Sequence, residues 1–418
     1  MLNTKLFLCA ALVFATAMCG CDSDDDDADS IGTEPVDDDA MDDDSAADDD
    51  ADDDADDDGL PVDPFRYPGR PGPYPVGNTS YFLEDETRAL GCGEGNRRLV
   101  VEVWYPASDD ADAYPENTLY DFFLDQQEEA IAAFAEHGDL PPPDNYPTGS
   151  YRDAPLRDKP AAMPLIVFSH GFTSSRFQNY STANRLASHG YVVVSPDHTC
   201  NALVAPFPDG IIGFSLLDVP FTIFERVADV RFLIDVFTQS PPVPFEGRID
   251  ADRVGIIGHS FGGFTVSETI KHEPRARAMV QLAAFGLPGV PEEVTAPSLF
   301  LRGGQDKIMA PFGAFHDAYR DQMPTPKIEL AFADTGHFAF SDLCVFSPWL
   351  AADGNGCGEE TRIGSDELFT NPTPAEMNEM MSPYITAFFG AVFFGESELW
   401  HYLETNHHPE RVTHTFWP

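Results

Sequence analysis

The chain has 418 residues, with 71 acidic and 24 basic side chains and a formal net charge of −47 at pH 7. Hydrophobic residues make up 43% of it and aromatic residues 12%, which allows a sizeable core and excludes a wholly disordered protein. A surface this negative repels phosphate backbones, so we expect no nucleic-acid partner.

The first 21 residues have the pattern of an export signal. Lys5 precedes a mostly apolar run, Leu6 to Met18, which is too short to span a bilayer as a stable helix. The run leads to Cys19-Gly20-Cys21, which resembles the end of a bacterial lipoprotein signal. We therefore expect Cys21 to carry a lipid that anchors the protein to a membrane of the bacterial cell envelope. Cleavage and secretion without a lipid is the alternative.

Residues 22–60 are dominated by Asp, Ala and Ser, and residues 1–60 contain 22 of the 71 acidic side chains. Like charges repel and there is little to bury, so this segment is predicted to be an extended, disordered tether. Residues 61–418 are then expected to form the folded domain.

Four cysteines lie beyond Cys21: Cys92, Cys200, Cys344 and Cys357. An even number in an exported protein favours disulfides, with three possible pairings. We favour a bond between Cys344 and Cys357, which flank a glycine-containing loop. Buried free thiols are the alternative.

Seven short, largely apolar runs after residue 60 predict β-strands. They are Leu99–Trp104, Leu165–Phe168, Tyr191–Val194, Val254–Ile257, Ala278–Leu282, Ser298–Leu301 and Ile328–Phe332. From Leu165 onward these runs are bounded by turn residues, as in strands that are covered on both faces.

Helical patterns lie between and after these runs. They are Phe177–His189, an apolar stripe formed by Phe224, Val227, Val230, Ile234 and Phe237, and Met381–Phe394. Strands that alternate with helices predict an α/β fold with a mainly parallel central sheet flanked by helices.

Residues 107–160 interrupt this alternation. They are rich in Pro, Asp and aromatic residues and contain one helical stretch near Phe122–His137. We interpret them as an insertion over one edge of the sheet, either shaping a substrate entrance or forming a simple surface excursion.

A candidate nucleophile follows the strand Val254–Ile257. The segment Gly258–Gly263 reads GHSFGG and opens a helix, so Ser260 lies in a strand-to-helix turn with glycines on both sides. Such a turn can expose a strained serine at a helix N-terminus, where the helix dipole favours developing negative charge. A serine that merely caps the helix is the alternative.

A serine hydroxyl needs a base, and the base needs an orienting acid. His337 directly follows the strand Ile328–Phe332 and is the predicted base, whereas His316 lies in a helical pattern and is expected at the surface. Asp306, just after the strand Ser298–Leu301, is the predicted acid. Asp334 is its competitor.

Two backbone N–H groups are expected to bind the oxyanion, those of Phe261 and of Phe172 in the segment Ser169-His170-Gly171-Phe172. The rings of Phe172 and Phe285 would line an apolar acyl site. The sequence has no H-E-x-x-H motif, no clustered metal ligands and no cofactor signature, so we expect neither a metal nor a cofactor.

Several segments together resemble the α/β-hydrolase superfamily, and within it bacterial relatives of platelet-activating-factor acetylhydrolase and of the dienelactone hydrolases. The likeness covers roughly Leu99 to Leu403. It rests on Val101–Pro106, Ser169–Phe172, Ala187–His198, Gly258–Gly263 and Gly336–Asp342.

The resemblance implies cleavage of carboxylic esters through an acyl-serine intermediate, with Ser260 as nucleophile, His337 as base and Asp306 as the acid. The chain departs from the acetylhydrolase because Gln281–Phe285 contains no carboxylate, and Asp306 instead matches the later position of cutinase-like polyester hydrolases. It departs from true dienelactone hydrolases, which use a cysteine. The expected function is a serine esterase or lipase outside the cytoplasm, acting on small-molecule or lipid esters. The alternatives are a cutinase-like polyester hydrolase and an inactive, surface-binding relative.

Overall fold

The computed structural model describes residues 68–136, 145–215, 222–346 and 355–418. The predicted signal at 1–21, the tether at 22–60 and the lipid site Cys21 lie outside the described residues.

The strands account for the centre of the molecule. In chain order they are β1 (Val76–Ala89), β2 (Asn96–Pro106), β3 (Glu116–Thr118), β4 (Pro147–Arg152), β5 (Met163–Ser169), β6 (Val192–Asp197), β7 (Val204–Phe207), β8 (Gly210–Gly213), β9 (Ile249–His259), β10 (Ala276–Leu282), β11 (Ser298–Gly303), β12 (Lys327–Phe332), β13 (Glu359–Thr361), β14 (Leu368–Thr370) and β15 (Val412–Trp417). All seven predicted strands are present, most of them a few residues longer than predicted.

The described residues form an eleven-stranded sheet in the order β15-β12-β11-β10-β9-β5-β6-β2-β1-β4-β3. Strands β6, β5, β9, β10, β11 and β12 are parallel. Strand β15 pairs antiparallel with β12 at one side. At the other side β2 pairs antiparallel with β6, and β1 pairs antiparallel with β2. Two small hairpins, β7–β8 and β13–β14, lie outside this sheet.

The strand register brings the expected site residues to one edge. Ser169 at the end of β5 pairs with Gly258 near the end of β9, and Leu282 at the end of β10 pairs with His259. The segments that follow these parallel strands therefore emerge side by side at the carboxyl edge of the sheet, where ligands bind in open α/β sheets.

The α-helices of the described residues are α1 (Gln127–Glu136), α2 (Tyr180–Ser188), α3 (Thr222–Gln239), α4 (Phe261–Thr269), α5 (Gly313–Gln322), α6 (Leu343–Phe346), α7 (Pro374–Phe394) and α8 (Ser397–Glu404). None of the helices in the described part of the chain is both long and apolar enough to cross a membrane.

Two hydrophobic cores cover the two faces of the sheet. Ile166 and Val193 face one core with α2 and α7, whereas Val167 and Val194 face the other with α3, α4 and α5. Successive strand residues point to opposite faces, so apolar residues in both positions require helices on both sides. The predicted flanked, mainly parallel sheet is confirmed.

One residue of the apolar stripe predicted for helix α3 is not buried. Val230, Ile234 and Phe237 are fully buried, but Phe224 is 68% exposed. Steps of three residues fall short of a full 3.6-residue turn by about 60° each, so two such steps turn Phe224 about 120° away from Val230. Ile223 is buried in the first turn instead.

Helix α7 begins at Pro374, earlier than the predicted Met381. The Thr373 side chain accepts a hydrogen bond from the Glu376 backbone N–H, and the Glu376 carboxylate in turn accepts one from the Thr373 N–H. This reciprocal pair and Pro374 at the first helical position define the start of the helix.

Within residues 107–160, β3 and β4 extend the sheet beyond β1. The predicted helical stretch near Phe122 begins as a 3₁₀-helix, Leu119–Gln126, and continues as α1. The Phe122 ring stacks on Phe177 at 4.7 Å, so this segment packs against the part of the chain that follows β5.

Two disulfides are present among the described residues, one joining Cys344 to Cys357 and the other joining Cys92 to Cys200. The first closes a short loop just after His337. The second ties the β1–β2 turn to the loop after β6.

Candidate active site

Ser260 occupies the sharp turn between β9 and α4, with φ 56° and ψ −121°. A non-glycine residue in this region stores strain, of order 1–3 kcal/mol. The turn needs glycines on both sides, because a Cβ at Gly258 would lie 2.2 Å from the Gly262 carbonyl oxygen, and one at Gly262 would lie 1.8 Å from that of Ser169. The Ser260 N–H donates to the Leu282 carbonyl at 2.9 Å, which fixes the turn against β10.

Ser260, His337 and Asp306 form a continuous hydrogen-bonded chain. Ser260 Oγ lies 2.8 Å from His337 Nε2, and His337 Nδ1 lies 2.8 Å from Asp306 Oδ2. A carboxylate accepts, so Nδ1 carries the proton and Nε2 faces the serine hydroxyl as an acceptor. All three side chains are at most 5% exposed.

Asp306 is fixed by the backbone that follows it. Its Oδ1 accepts from the N–H groups of Ile308 at 3.0 Å and Met309 at 2.9 Å, which leaves Oδ2 for His337. The competing carboxylate, Asp334, forms an ion pair with Arg362 instead. The structure thus brings Asp306, and not Asp334, to the histidine.

His316 is buried rather than at the surface as expected. Its Nε2 lies 2.8 Å from Glu329 Oε2, and its Nδ1 donates to the Ala284 carbonyl at 3.1 Å. The prediction was wrong because this position of α5 faces β12 rather than solvent. Burial alone would raise the pKa of Glu329, but hydrogen bonds from His316 and Arg320 outweigh it and lower that pKa to about 2.

The segment expected to supply one oxyanion donor lies directly beside Ser260. A Cβ at Gly171 would be 3.5 Å from Ser260 Cβ, an ordinary contact distance, so this backbone runs directly alongside the nucleophile. The Phe172 and Phe261 rings meet edge to face at 5.8 Å. The Phe172 ring thus packs against the residue that directly follows the serine.

Phe285 belongs to a row of phenylalanines that starts at the serine. Phe261 stacks on Phe264 at 5.9 Å, Phe264 on Phe285 at 5.1 Å, and Phe285 on Phe312 at 4.6 Å. Phe264 and Phe312 are buried, whereas Phe172, Phe261 and Phe285 are partly exposed and present apolar surface beside the strand-to-helix turn.

Two residues of the site were missed by the sequence analysis. His259 Nε2 donates to the His337 carbonyl at 3.0 Å, and its Nδ1 accepts from Gln178 Nε2 at 2.6 Å. Burial, with a smaller contribution from His337, lowers the pKa of His259 well below its usual value, so this ring is neutral. His259 stands in the GHSFGG segment and could have been flagged, whereas Gln178 carries no sequence signal.

A second Ser–His–Asp arrangement lies on the neighbouring strand. Ser169 Oγ is 2.9 Å from His198 Nε2, and His198 Nδ1 is 2.9 Å from Asp229 Oδ2. All three residues are fully buried. Burial, assisted by the positive charge of Arg226, lowers the pKa of His198 to about 3, so His198 is a much weaker base than an ordinary histidine.

One group of side chains among the described residues has the spacing of metal ligands: His316, Asp317 and Glu329. Arg320 Nη1 lies 2.9 Å from Asp317 and 3.0 Å from Glu329, so an arginine already pairs with both carboxylates. We assign no metal to this group.

Two family models match the chain. The model described as PET hydrolase-like matches residues 155–344, and the model described as platelet-activating factor acetylhydrolase, isoform II, matches residues 63–207. The first match contains Ser260, Asp306 and His337. The second contains the segment that follows β5.

Among curated relatives, cutinase est1 of Thermobifida alba is 26% identical over 176 residues, which cover 42% of this chain and 53% of the cutinase. A bis(hydroxyethyl) terephthalate hydrolase of Streptomyces coelicolor is 28% identical over 176 residues, 42% of this chain and 50% of the relative. A probable 1-alkyl-2-acetylglycerophosphocholine esterase of Arthroderma benhamiae is 26% identical over 260 residues, 56% of this chain and 62% of the relative. The chain thus spans about half the length of the first two relatives.

Among solved structures, a ferulic acid esterase from Streptomyces cinnamoneus superposes with a TM-score of 0.61 at 25% identity. The match covers 82% of this chain and 97% of the esterase. Together with the sheet topology and the family matches, this shows that the chain belongs to the α/β-hydrolase superfamily. The relatives named above are, by their names, enzymes that hydrolyse carboxylic esters.

Proposed function

We propose that this protein is a serine hydrolase that cleaves carboxylic esters through an acyl-serine intermediate. The observation that carries the proposal is the hydrogen-bonded chain from Ser260 through His337 to Asp306 at the strand-to-helix turn. The ester-hydrolysing relatives support the same chemistry.

The geometry accounts for each chemical step. Ser260 Oγ attacks the ester carbonyl while His337 Nε2 takes the hydroxyl proton, and Asp306 stabilises the imidazolium that forms. The N–H groups of Phe172 and Phe261 bind the oxyanion. The imidazolium then gives its proton to the leaving alcohol, and a water molecule activated by His337 releases the acid and restores the serine.

The test is hydrolysis of a series of p-nitrophenyl esters by the wild type and by Ser260→Ala. We expect the substitution to lower kcat by at least ~10³-fold, since the acyl-enzyme route disappears. A fluorophosphonate probe should label the wild type and not the variant. A folded wild type that neither hydrolyses any ester nor takes the label would favour the inactive, surface-binding alternative.

A cutinase-like polyester hydrolase is the second candidate. It is favoured by the PET hydrolase-like match and by the phenylalanine row beside Ser260, which offers apolar contacts to an aromatic or aliphatic polymer. Release of soluble acid from a polyester film, measured against hydrolysis of short soluble esters, separates this candidate from a small-ester esterase.

The proposal includes a location outside the cytoplasm, with Cys21 lipidated. The signal-like pattern of residues 1–21 and the two disulfides support it. Mass spectrometry of the mature N-terminus should find an acylated Cys21, and Cys21→Ala should move the protein from the membrane fraction to the soluble fraction. An unmodified mature N-terminus would exclude the lipid anchor.

A further inference from the structure

The segment that carries the Phe172 donor is fixed by side chains that the proposed mechanism does not use. The peptide group between His170 and Gly171 is bound at both ends. Its carbonyl accepts a hydrogen bond from Arg226 Nη2, and its N–H donates to Gln178 Oε1 at 2.6 Å. A planar peptide group bound at both ends cannot rotate about its flanking bonds without breaking one contact.

The next peptide group supplies the donor itself. Its carbonyl, on Gly171, accepts from His170 Nδ1 at 2.6 Å, and its N–H belongs to Phe172. His170 Nε2 in turn accepts from the backbone N–H of His198 at 3.1 Å. Burial is the main cause that lowers the pKa of His170 well below its usual value, so the ring is neutral, with one donor and one acceptor nitrogen as these contacts require.

Arg226 connects this segment to the second donor. Besides the His170 carbonyl, its guanidinium donates to Ser169 Oγ at 3.1 Å and to Asn201 Oδ1 at 2.7 Å. Its central carbon lies 4.9 Å from the centre of the Phe261 ring. Arg226 of α3 therefore contacts both the segment that begins at Ser169 and Phe261, which directly follows the nucleophile.

Arg226 is an unusual buried cation. It is fully buried, and in the described part of the chain its hydrogen bonds go to carbonyl, hydroxyl and amide oxygens rather than to a carboxylate. A buried charge without a direct counter-charge destabilises a fold. Burial lowers the pKa of Arg226 to about 9, which still leaves it charged at neutral pH.

We propose that Arg226 is a positioning residue of the oxyanion site, which fixes the His170–Gly171 peptide and the Phe261 ring so that both N–H donors point at the position of the oxyanion. This inference rests on the proposed ester hydrolysis. The contacts of Arg226 are to protein atoms, so Arg226 acts through the Phe172 and Phe261 backbones rather than on the substrate. Because the oxyanion exists in the transition state, loss of this arrangement should lower kcat more than it changes KM.

The experiment compares Arg226→Met and Arg226→Lys with Arg185→Met. Arg185 is also a buried arginine, but it lies in α2 and pairs with Glu379 of α7 at 3.0 Å. For p-nitrophenyl butyrate we expect Arg226→Met to lower kcat by about 30- to 300-fold with KM changed less than about threefold. Arg226→Lys keeps the charge but loses the fork of donors, and we expect about a tenfold loss.

Inactivation by the fluorophosphonate probe should slow in parallel with kcat, because its phosphonyl oxygen occupies the oxyanion position. Arg185→Met should lower the melting temperature and leave kcat within about twofold of the wild type. If Arg226→Met does not fold, Arg226→Lys carries the test.

A folded Arg226 variant with wild-type kcat, or one whose loss of kcat merely follows its loss of thermal stability as in Arg185→Met, would overturn the proposal. A wild type without esterase activity would instead refute the proposed function, and the positioning role would fall with it.

Discussion

Two Ser–His–Asp arrangements with nearly identical hydrogen bonds occupy neighbouring strands of this molecule. In one, Ser260, His337 and Asp306 are joined by contacts of 2.8 and 2.8 Å. In the other, Ser169, His198 and Asp229 are joined by contacts of 2.9 and 2.9 Å. Hydrogen-bond geometry alone therefore does not identify a nucleophile.

The surroundings distinguish the two arrangements. Ser260 lies in a strained turn at the start of a helix, next to two candidate oxyanion donors. Ser169 ends a regular strand, is fully buried, and its hydroxyl also accepts from Arg226. His198 has a pKa lowered to about 3 by burial and by Arg226. The buried arrangement thus has neither access for a substrate nor an effective base, and its contacts suit a structural support.

The largest contrast is expected between the two serines. Ser260→Ala should abolish fluorophosphonate labelling and lower kcat by at least ~10³-fold. Ser169→Ala removes the hydrogen bonds of this hydroxyl to Arg226 and His198 and should cost less than about tenfold in kcat, with labelling retained. Loss of labelling in a folded Ser169→Ala variant would contradict the structural role of the buried arrangement.

Replacing Asp306 should lower activity, whereas replacing Asp229 should lower stability. Asp306→Asn should lower kcat by roughly 10³- to 10⁴-fold with little loss of stability, because the amide favours the wrong histidine tautomer. Asp229 accepts from Arg97 at 2.9 Å and pairs with Arg88 at 2.9 Å. Asp229→Asn leaves the buried Arg97 without this carboxylate, while Arg88 keeps its pair with Asp85. The change should cost about 3–5 kcal/mol of unfolding free energy, measured by urea denaturation.

The sequence carries enough information for the parallel centre of the fold and for the nucleophile. Strands buried on both faces appear as continuous apolar runs, and the glycines around Ser260 report a turn that no other residue fits. Strand β1 was missed because it carries the acidic run Glu84-Asp85-Glu86 rather than an apolar run, and most of its residues are not fully buried. Strand β15 was missed because most of its residues are only half-buried.

The residues that hold the active site in place cannot be recognised from short patterns in the sequence. Arg226 contacts His170, which is 56 positions earlier in the chain, and Gln178 contacts His259, which is 81 positions later. The first contact depends on how α3 packs against β5, and the second on the register of β5 against β9. No short pattern encodes either. The burial of His316 was missed for the same reason, since its partner Glu329 lies on a different element.

His337 and His198 are each followed in the chain by a disulfide-bonded cysteine, Cys344 and Cys200. The two disulfides therefore offer another comparison. Cys344–Cys357 closes a loop next to His337, whose neighbour Phe338 donates its N–H to the Asn355 carbonyl at 2.8 Å. Replacing both of these cysteines by alanine should cost about 3 kcal/mol and lower kcat by roughly threefold or more, since the base is less well fixed.

Replacing Cys92 and Cys200 by alanine opens a much longer loop, with a sequence separation of 108. This change should cost about 4–5 kcal/mol and leave kcat of the folded fraction within about twofold. Unfolding curves and kcat, measured for both double variants, check the contrast. A larger loss of kcat in the Cys92/Cys200 variant would mean that the loop after β6 matters more to catalysis than the loop after His337.

The smallest expected effect is on the free energy of unfolding at acidic pH. The folded state keeps His198 neutral down to a pKa of about 3, whereas an unfolded histidine protonates near its ordinary pKa of 6.5. Between these values the unfolded state binds about one more proton at this position, so stability falls as the pH falls, by up to about 1.4 kcal/mol per pH unit.

His198→Asn removes this difference while leaving an amide to donate to Asp229. We expect its unfolding free energy to decline less steeply than that of the wild type between pH 6 and pH 4. His401→Asn is the matched control, because the His401 side chain is 84% exposed and its replacement should leave the slope unchanged. An unchanged slope in His198→Asn would mean that His198 gains a proton in the folded state, and the buried arrangement would then be closer to a working base than its surroundings indicate.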